Sequence, residues 1–110
     1  MLRYYVTDRK QADVVACARR AIREGVDMIQ VREKDMDSRA LLDLVLKIVD
    51  EAKGTSTHVL VNDRLDVALV AGADGIHLPS HGLPVASIRP IINLVGVSTH
   101  TLKEVQAATA

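Results

Sequence analysis

Apolar residues along the chain alternate between short continuous runs and longer stretches in which they recur every three or four residues. Short apolar runs are typical of strands buried on both faces, whereas recurrence at three and four residues is typical of amphipathic helices. The runs predict five strands, at residues 3–7, 26–32, 58–62, 74–78 and 94–98. The periodic stretches predict helices at residues 11–24, 38–53, 63–71 and 85–91, and a last helix from residue 101 toward 110.

Capping and breaking residues stand at the ends of these segments. Ser, Thr and Asp favour the start of a helix, Gly favours its end, and Pro is tolerated in its first turn. The residues in such positions are Gly25, Asp37, Gly72, Pro84 and the pair Thr101 and Glu104. They support the boundaries that the periodicity predicts.

The regular alternation of strand and helix predicts an α/β fold with a parallel sheet and right-handed crossovers. The segments 25–29 and 72–76 are also similar to each other, as in a repeating strand-helix module. Such modules build a (β/α)8 TIM barrel, which needs roughly 200 residues or more. We therefore expect residues 1–110 to form a single partial barrel domain, with about five of the eight units.

Composition excludes several classes of partner. The chain has 14 basic and 14 acidic residues, and its only aromatic residues are two tyrosines, so neither nucleic acid nor an acidic membrane surface is expected as a partner. No run approaches the roughly 20 apolar residues of a membrane helix, and the start of the chain lacks a signal peptide's apolar stretch. A single Cys17 allows no internal disulfide. These features predict a cytoplasmic protein. Cys17, in an apolar helical segment, is expected to be a core or inert residue and not a nucleophile.

Polar residues follow the predicted strands at the ends where parallel α/β folds bind ligands. They comprise cations, amides, carboxylates and hydroxyls, which together suit a metal-bound phosphate or pyrophosphate. These residues are Thr7, Asp8, Gln30, Arg32, Lys34, Asn62, Asp63, His77, Ser98 and His100.

The second strand contributes most of the positive charge. If it stays extended, Gln30, Arg32 and Lys34 project to one face, and Val31 and Glu33 project to the other. Two cations and an amide on one face suit an anion such as a phosphate. The alternative is an exposed strand end whose charges are solvated.

The other candidates also have structural alternatives. Asn62 and Asp63 could cap the helix that follows them instead of binding a metal. His77 could be a hydrogen-bonded core histidine. Ser98 and Thr101 could be turn and capping residues. The convergence of all these residues at one end of the sheet favours a ligand site.

Four segments resemble those of the thiamine phosphate synthase family, in that family's order and spacing. They are residues 30–35 (QVREKD), 61–64 (VNDR), 72–78 (GADGIHL) and 96–101 (GVSTHT). The wider superfamily also contains the TenI-like thiazole tautomerases. The resemblance covers essentially the whole chain and stops about halfway through the family's barrel.

The resemblance implies a transferase of thiamine biosynthesis that joins hydroxymethylpyrimidine pyrophosphate to thiazole phosphate and releases pyrophosphate. It implies that Arg32, Lys34 and Asn62 hold the pyrophosphate, with Ser98 near it, and that Arg32, Lys34 and Ser98 serve catalysis. It further implies that Asp63 binds Mg²⁺ and that Gln30 and His77 border the pyrimidine. Phosphorylated pyrimidine and thiazole compounds would be the substrates.

Three departures from the family pattern keep other functions open. Gly82 stands where the family has its second Mg²⁺ ligand. Residues 78–80 (LPS) resemble the TenI branch, in which a histidine at the position of His100 is linked to proton transfer without a metal. The second half of the barrel is missing, so we expect little or no complete synthase turnover from these 110 residues.

A third possibility is a non-catalytic half-barrel that binds a ligand or associates with another molecule. An open parallel sheet has exposed edges, and these favour pairing with another chain. A homo-oligomer formed through the sheet edges is therefore possible on this reading.

Overall fold

A computed structural model describes residues 3–10, 13–92 and 94–97 as a parallel sheet with helices on one face. The strands are β1 (Tyr4–Val6), β2 (Met28–Val31), β3 (His58–Asn62), β4 (Gly75–Leu78) and β5 (Leu94–Val97). The helices are α1 (Val14–Arg23), α2 (Ser38–Ala52), α3 (Leu65–Ala71) and α4 (Val85–Ile88).

The order of the strands in the sheet is the order of the strands along the chain. All neighbouring pairs are parallel, from β1 next to β2 through to β4 next to β5. This order is that of successive units in a (β/α)8 barrel, whereas doubly wound sheets reverse direction at a switch point. The predicted parallel α/β architecture is confirmed, and the carboxyl ends of all five strands lie at one rim.

The core lies between one face of the sheet and the helices. Alternate strand residues point into it because side chains on a strand alternate between its two faces. The most deeply buried large side chains of this cluster are Ile29, Val31, Ile48, Val45, Val59, Val61, Ile76 and Leu78. Each such side chain contributes on the order of 1.5–3 kcal/mol when it is fully removed from water. This packing holds the strand ends, and with them the rim, in place.

The start of two helices follows the sequence signals. Asp13 and Asp37 accept hydrogen bonds from the backbone of Ala16, at 3.2 Å, and of Ala40, at 2.8 Å. The N-cap predicted at Asp37 is thus confirmed. Within the described ranges, no helix combines the length and the apolar composition that crossing a bilayer requires.

Three helices are clearly shorter than predicted. α1 runs over Val14–Arg23 instead of residues 11–24, because Asp13 caps its start. α3 begins at Leu65 instead of residue 63, because Asp63 has a left-handed φ of 62° that a helix cannot contain. α4 ends at Ile88 instead of residue 91, because Pro90 has no N–H to continue the helical hydrogen bonds. The last predicted helix, from residue 101, lies outside the described residues.

Strands β4 and β5 approach each other closely at two glycines. A Cβ on Gly75 would lie 2.7 Å from Cβ of Leu94, and it would also overlap the Leu94 carbonyl oxygen. A Cβ on Gly96 would lie 2.9 Å from Nδ1 of His77. These positions therefore have no room for a side chain.

Candidate functional site

The rim at the carboxyl ends of the strands carries most of the predicted site residues. Gln30 lies in β2, Asn62 ends β3 and His77 lies in β4, while Arg32 and Asp63 follow their strands within one residue of the end. The parallel sheet brings these five side chains to one end of the molecule. Ser98 and His100 lie outside the described residues.

The face of the sheet opposite the helices, here called the open face, carries Gln30, Leu60, Asn62, His77 and Gly96. Asn62 pairs with His77 across the sheet, and His77 pairs with Gly96. Gln30 is only 5% exposed, and its Nε2 donates to the hydroxyl of Tyr4 at 3.3 Å. The open face thus carries amide side chains on β2 and β3 and an imidazole on β4.

The environment of His77 favours the neutral imidazole. Burial lowers its pKa below the usual value, and the positive charge of Arg32 lowers it further. The side chain is nevertheless half-buried and not enclosed in the core. A neutral, partly accessible imidazole at this rim can donate or accept a hydrogen bond to a bound ring.

Lys34 lies beyond the end of β2, in a turn. The strand ends at Val31, and a turn follows in which the Met36 N–H donates to the Glu33 carbonyl at 3.3 Å. The exposure still alternates beyond the strand, because Arg32 and Lys34 are exposed and Glu33 between them is buried.

The turn nevertheless places Lys34 between two cavities at the rim. One, of about 230 Å³, has Lys34, Asn62 and Asp63 in its lining. The other, of about 410 Å³, has Arg32 and Lys34 in its lining, together with Thr7. Lys34 thus lines both cavities, one together with Asn62 and Asp63 and the other together with Arg32.

Arg32 and Lys34 are two of several described basic residues without an acidic partner, and both lie beside the cavities at the rim. Many basic side chains are paired with acids: Arg9 with Asp35 at 2.8 Å, Lys10 with Asp35 at 3.4 Å, Arg19 with Glu51 at 2.7 Å and Arg64 with Asp66 at 3.0 Å. Among the described residues, neither Arg32 nor Lys34 has an acidic partner within 4.0 Å. Two such cations beside one cavity system can attract and hold an anion.

Asp63 stands in a tight turn directly after β3. Its N–H donates to the His77 carbonyl at 2.8 Å, and the Arg64 N–H donates to the Asn62 carbonyl at 2.7 Å. The positive φ of Asp63 is unfavourable for a residue with a side chain, and such strain is often found at functional sites. Since the N-cap of α3 is Arg64, with no side-chain capping bond, the alternative that Asn62 and Asp63 cap this helix is wrong.

Among the described residues, Asp63 has few potential metal ligands around it. A Cβ on Gly82 would lie 3.1 Å from Oδ1 of Asp63, so position 82 adjoins this carboxylate. Within the part of the chain that the structure describes, no cluster of three or more His, Cys, Asp or Glu could hold a metal. Mg²⁺ is commonly bound by one or two carboxylates together with substrate phosphates and waters. Asp63 therefore fits an ion that is shared with a phosphate ligand.

Thr7 and Glu33 are the polar residues at this rim whose contacts the sequence did not reveal. Glu33 was predicted to face away from the cations, but no role followed from that. In the structure its side chain is only 3% exposed and accepts a hydrogen bond from the Thr7 hydroxyl at 2.6 Å. The sequence signal for these contacts was the predicted position of Glu33 on the same face as Val31. A carboxylate that is buried there needs hydrogen-bond partners.

Comparison with known proteins matches these features to one family. The model of the family described as "Thiamine monophosphate synthase" matches residues 3–110. A thiamine-phosphate synthase of Anaeromyxobacter dehalogenans is 49% identical over 102 residues, covering 90% of this chain and 46% of the relative. One of Caldanaerobacter subterraneus is 35% identical over 107 residues, covering 92% of this chain and 50% of the relative.

A solved structure agrees with the fold. The thiamine phosphate pyrophosphorylase of Pyrococcus furiosus superposes with a TM-score of 0.89 at 28% identity, over 98% of this chain and 55% of that one. The chain thus spans about half the length of the relatives that it matches. The expected TIM-barrel-type fold is confirmed, and the chain belongs to the thiamine monophosphate synthase family.

Proposed function

We propose that this chain forms the pyrophosphate-binding part of a thiamine-phosphate synthase. The reaction joins hydroxymethylpyrimidine pyrophosphate to thiazole phosphate and releases pyrophosphate. The observation that carries the proposal is the position of two cations that lack acidic partners among the described residues. Lys34 lines one cavity together with Asn62 and Asp63, and Arg32 and Lys34 line the neighbouring cavity. Family membership supports the same chemistry.

Each side chain of the rim has a role in this proposal. Arg32 offers a planar fork of donors to the phosphate oxygens, and Lys34 offers a mobile point charge. The Asn62 amide adds a further donor. Together they stabilise the negative charge that gathers on the departing pyrophosphate.

The polar groups of the open face are proposed to bind the pyrimidine ring. Gln30 and neutral His77 would border the ring and bond to its nitrogen atoms or amino group. The absence of a side chain on Gly96 lets the His77 imidazole lie against the backbone of β5. Ser98, directly after β5 in the sequence, is proposed to lie near the pyrophosphate.

Asp63 would hold Mg²⁺ in the bound complex. The ion would supply positive charge to the pyrophosphate oxygens. Because position 82 is a glycine, Asp63 is the one carboxylate that we assign to the ion, and waters and phosphate oxygens would complete its coordination. We therefore expect weak binding of Mg²⁺ alone and tighter binding together with pyrophosphate.

The chain spans about half of its relatives, so the complete activity belongs to the same proposal. Residues 1–110 would act as a single partial barrel domain in the cytoplasm, a location suggested by the lone Cys17. β1 and β5 are the sheet edges and are proposed to pair with a further segment or with a second copy. We expect no complete synthase turnover from the 110 residues alone.

Gly82 favours a second candidate, a TenI-like thiazole tautomerase that needs no metal. In that reaction His100 would move the proton as a general acid and base. Activity on a thiazole carboxylate phosphate that persists in EDTA and disappears in His100→Ala would select this function. Gly82 is compatible with it because the reaction requires no second carboxylate.

Titration calorimetry with inorganic pyrophosphate, with and without Mg²⁺, tests the synthase proposal. We expect Mg²⁺-dependent binding that Arg32→Ala or Lys34→Ala weakens at least about tenfold, because each removes a charge-assisted contact. The matched controls are Arg23→Ala and Lys53→Ala. Arg23 ends α1, and Lys53, which pairs with Asp50, directly follows α2. Both remove the same charge away from the rim and should leave the affinity unchanged.

Two results would count against this function. One is the absence of any Mg²⁺-linked heat with the wild-type chain. The other is an equal loss of affinity in the rim variants and in their controls, since that would reflect net charge and not a site.

A further inference from the structure

A buried carboxylate lies directly behind the two cations of the rim. One Glu33 oxygen accepts the Thr7 hydroxyl at 2.6 Å, and the other accepts the backbone N–H of Arg9 at 3.1 Å. The Arg9 side chain adds a more distant contact, with Nε 3.7 Å from Glu33. The carboxylate is thus hydrogen-bonded on both oxygens, as a buried charge requires.

The Thr7 hydroxyl links the Glu33 carboxylate to the backbone of Arg32. Because the carboxylate of Glu33 is an acceptor, the hydroxyl proton points toward it and a lone pair of Thr7 is left for another donor. That donor is the backbone N–H of Arg32, at 3.0 Å. The register of β1 and β2 ends at Val6 and Gln30, so the Thr7 hydroxyl continues the contact between these two segments as far as Arg32.

The backbone of Glu33 constrains the segment on the other side. Its carbonyl accepts the N–H of Met36 at 3.3 Å and closes the turn that carries Lys34. Glu33 therefore lies between the two cations in sequence, with its side chain buried. Its carboxylate accepts the Arg9 N–H, and its carbonyl accepts the Met36 N–H. An exposed strand end that only solvates charge would not need this buried arrangement.

The acid nearest to Lys34 in the sequence, Asp35, forms ion pairs with other cations. Asp35, in the turn next to Lys34, lies 2.8 Å from the Arg9 guanidinium and 3.4 Å from the Lys10 ammonium. These exposed pairs contribute little to stability. They do, however, direct the nearest acid toward Arg9 and Lys10 and leave Lys34 available for an external anion.

We propose that Thr7 and Glu33 are positioning residues for the anion site, an inference that rests on the proposed pyrophosphate binding. Their hydrogen bonds hold residues 32–35 in the binding geometry before the anion arrives. A preformed site loses less conformational freedom on binding, so its affinity is higher. The Thr7 hydroxyl and the Glu33 carboxylate, which are hydrogen-bonded to each other, act through the backbone of residues 32–35.

The test compares Thr7→Val and Glu33→Gln with Thr7→Ser in the full chain. Val is close to Thr in size but lacks the hydroxyl, whereas Ser retains it. The control is Thr57→Val: Thr57 is also buried, and its hydroxyl donates to the Val26 carbonyl at 2.6 Å at the opposite end of the sheet. It should cost similar stability without touching the rim.

Two measurements separate positioning from stability. Calorimetry gives the affinity for inorganic pyrophosphate with Mg²⁺, and amide hydrogen exchange reports the order of residues 32–35 without ligand. We expect Thr7→Val and Glu33→Gln to weaken affinity between about threefold and tenfold and to speed exchange at residues 32–35. Thr7→Ser should restore both values, and Thr57→Val should change neither.

Each contrary outcome has its own meaning. If Thr7→Val weakens binding no more than Thr57→Val, or if Thr7→Ser fails to restore it, the positioning role is overturned while pyrophosphate binding stands. Unchanged exchange at residues 32–35 in Thr7→Val overturns it as well. A wild-type chain that binds no pyrophosphate overturns the proposed function, and the positioning role with it.

Discussion

Replacing Gly82 with Asp should create a second magnesium ligand beside Asp63. The Cβ of residue 82 would lie 3.1 Å from Oδ1 of Asp63 and 3.0 Å from the ring of Pro79, so a small shift accommodates it. The new carboxyl group extends one bond beyond that Cβ. Two carboxylates that close together can share one ion, and without the ion they repel each other.

The gain in affinity follows from Coulomb's law. At about 4 Å in water, one unit charge and a doubly charged ion interact by about 2 kcal/mol, or roughly 30-fold in affinity. Position 82 and Asp63 are both exposed, so salt at about 0.1 M reduces the effect to roughly tenfold. The apo protein should in turn melt slightly lower than the wild type.

Calorimetric titration with Mg²⁺ at constant ionic strength measures this gain. Leu83→Asp is the matched control, because it adds the same charge at the adjacent residue, which is 49% exposed. We expect about tenfold tighter binding in Gly82→Asp and less than a twofold change in Leu83→Asp. Adding Asp63→Asn to Gly82→Asp should abolish the gain.

The reasoning would be refuted if both Asp substitutions raised the affinity equally, since the effect would then be general attraction. It would also be refuted if Gly82→Asp kept its gain after Asp63→Asn, because Asp63 would then not be the shared ligand.

Two further predictions concern the sheet and its histidine. Gly75→Ala should destabilise the protein by about 3 kcal/mol or more in urea unfolding, because its Cβ meets the backbone of Leu94. Gly54→Ala, with φ of 77° and no described atom within 4 Å of its Cβ position, should lose only about 1 kcal/mol; equal losses would contradict the close approach. Since the pKa of His77 is lowered in the fold, stability should fall as the pH drops below about 6.5, where the unfolded chain binds a proton that the native imidazole does not. His77→Gln should reduce this loss of stability at acid pH, and an unchanged loss would show that His77 does not cause it.

Sequence alone determined the secondary structure and its class. Strand β3 matches its predicted range of 58–62, and helix α2 starts after its predicted cap, Asp37. These features depend on local chemistry: continuous apolar runs, a period near 3.6, and capping side chains. The common rim also followed from sequence, since parallel strands must end on the same side.

Tertiary structure decided which side chains meet at that rim. The end of β2 at Val31 did not follow from the sequence, because it depends on the neighbouring strands and on the turn that the Glu33 carbonyl closes. The bond from Thr7 to Glu33 joins residues 26 positions apart, and the approach of Gly82 to Asp63 joins two separate loops. No local pattern specifies such contacts, because they form only when packing of the core brings distant segments together.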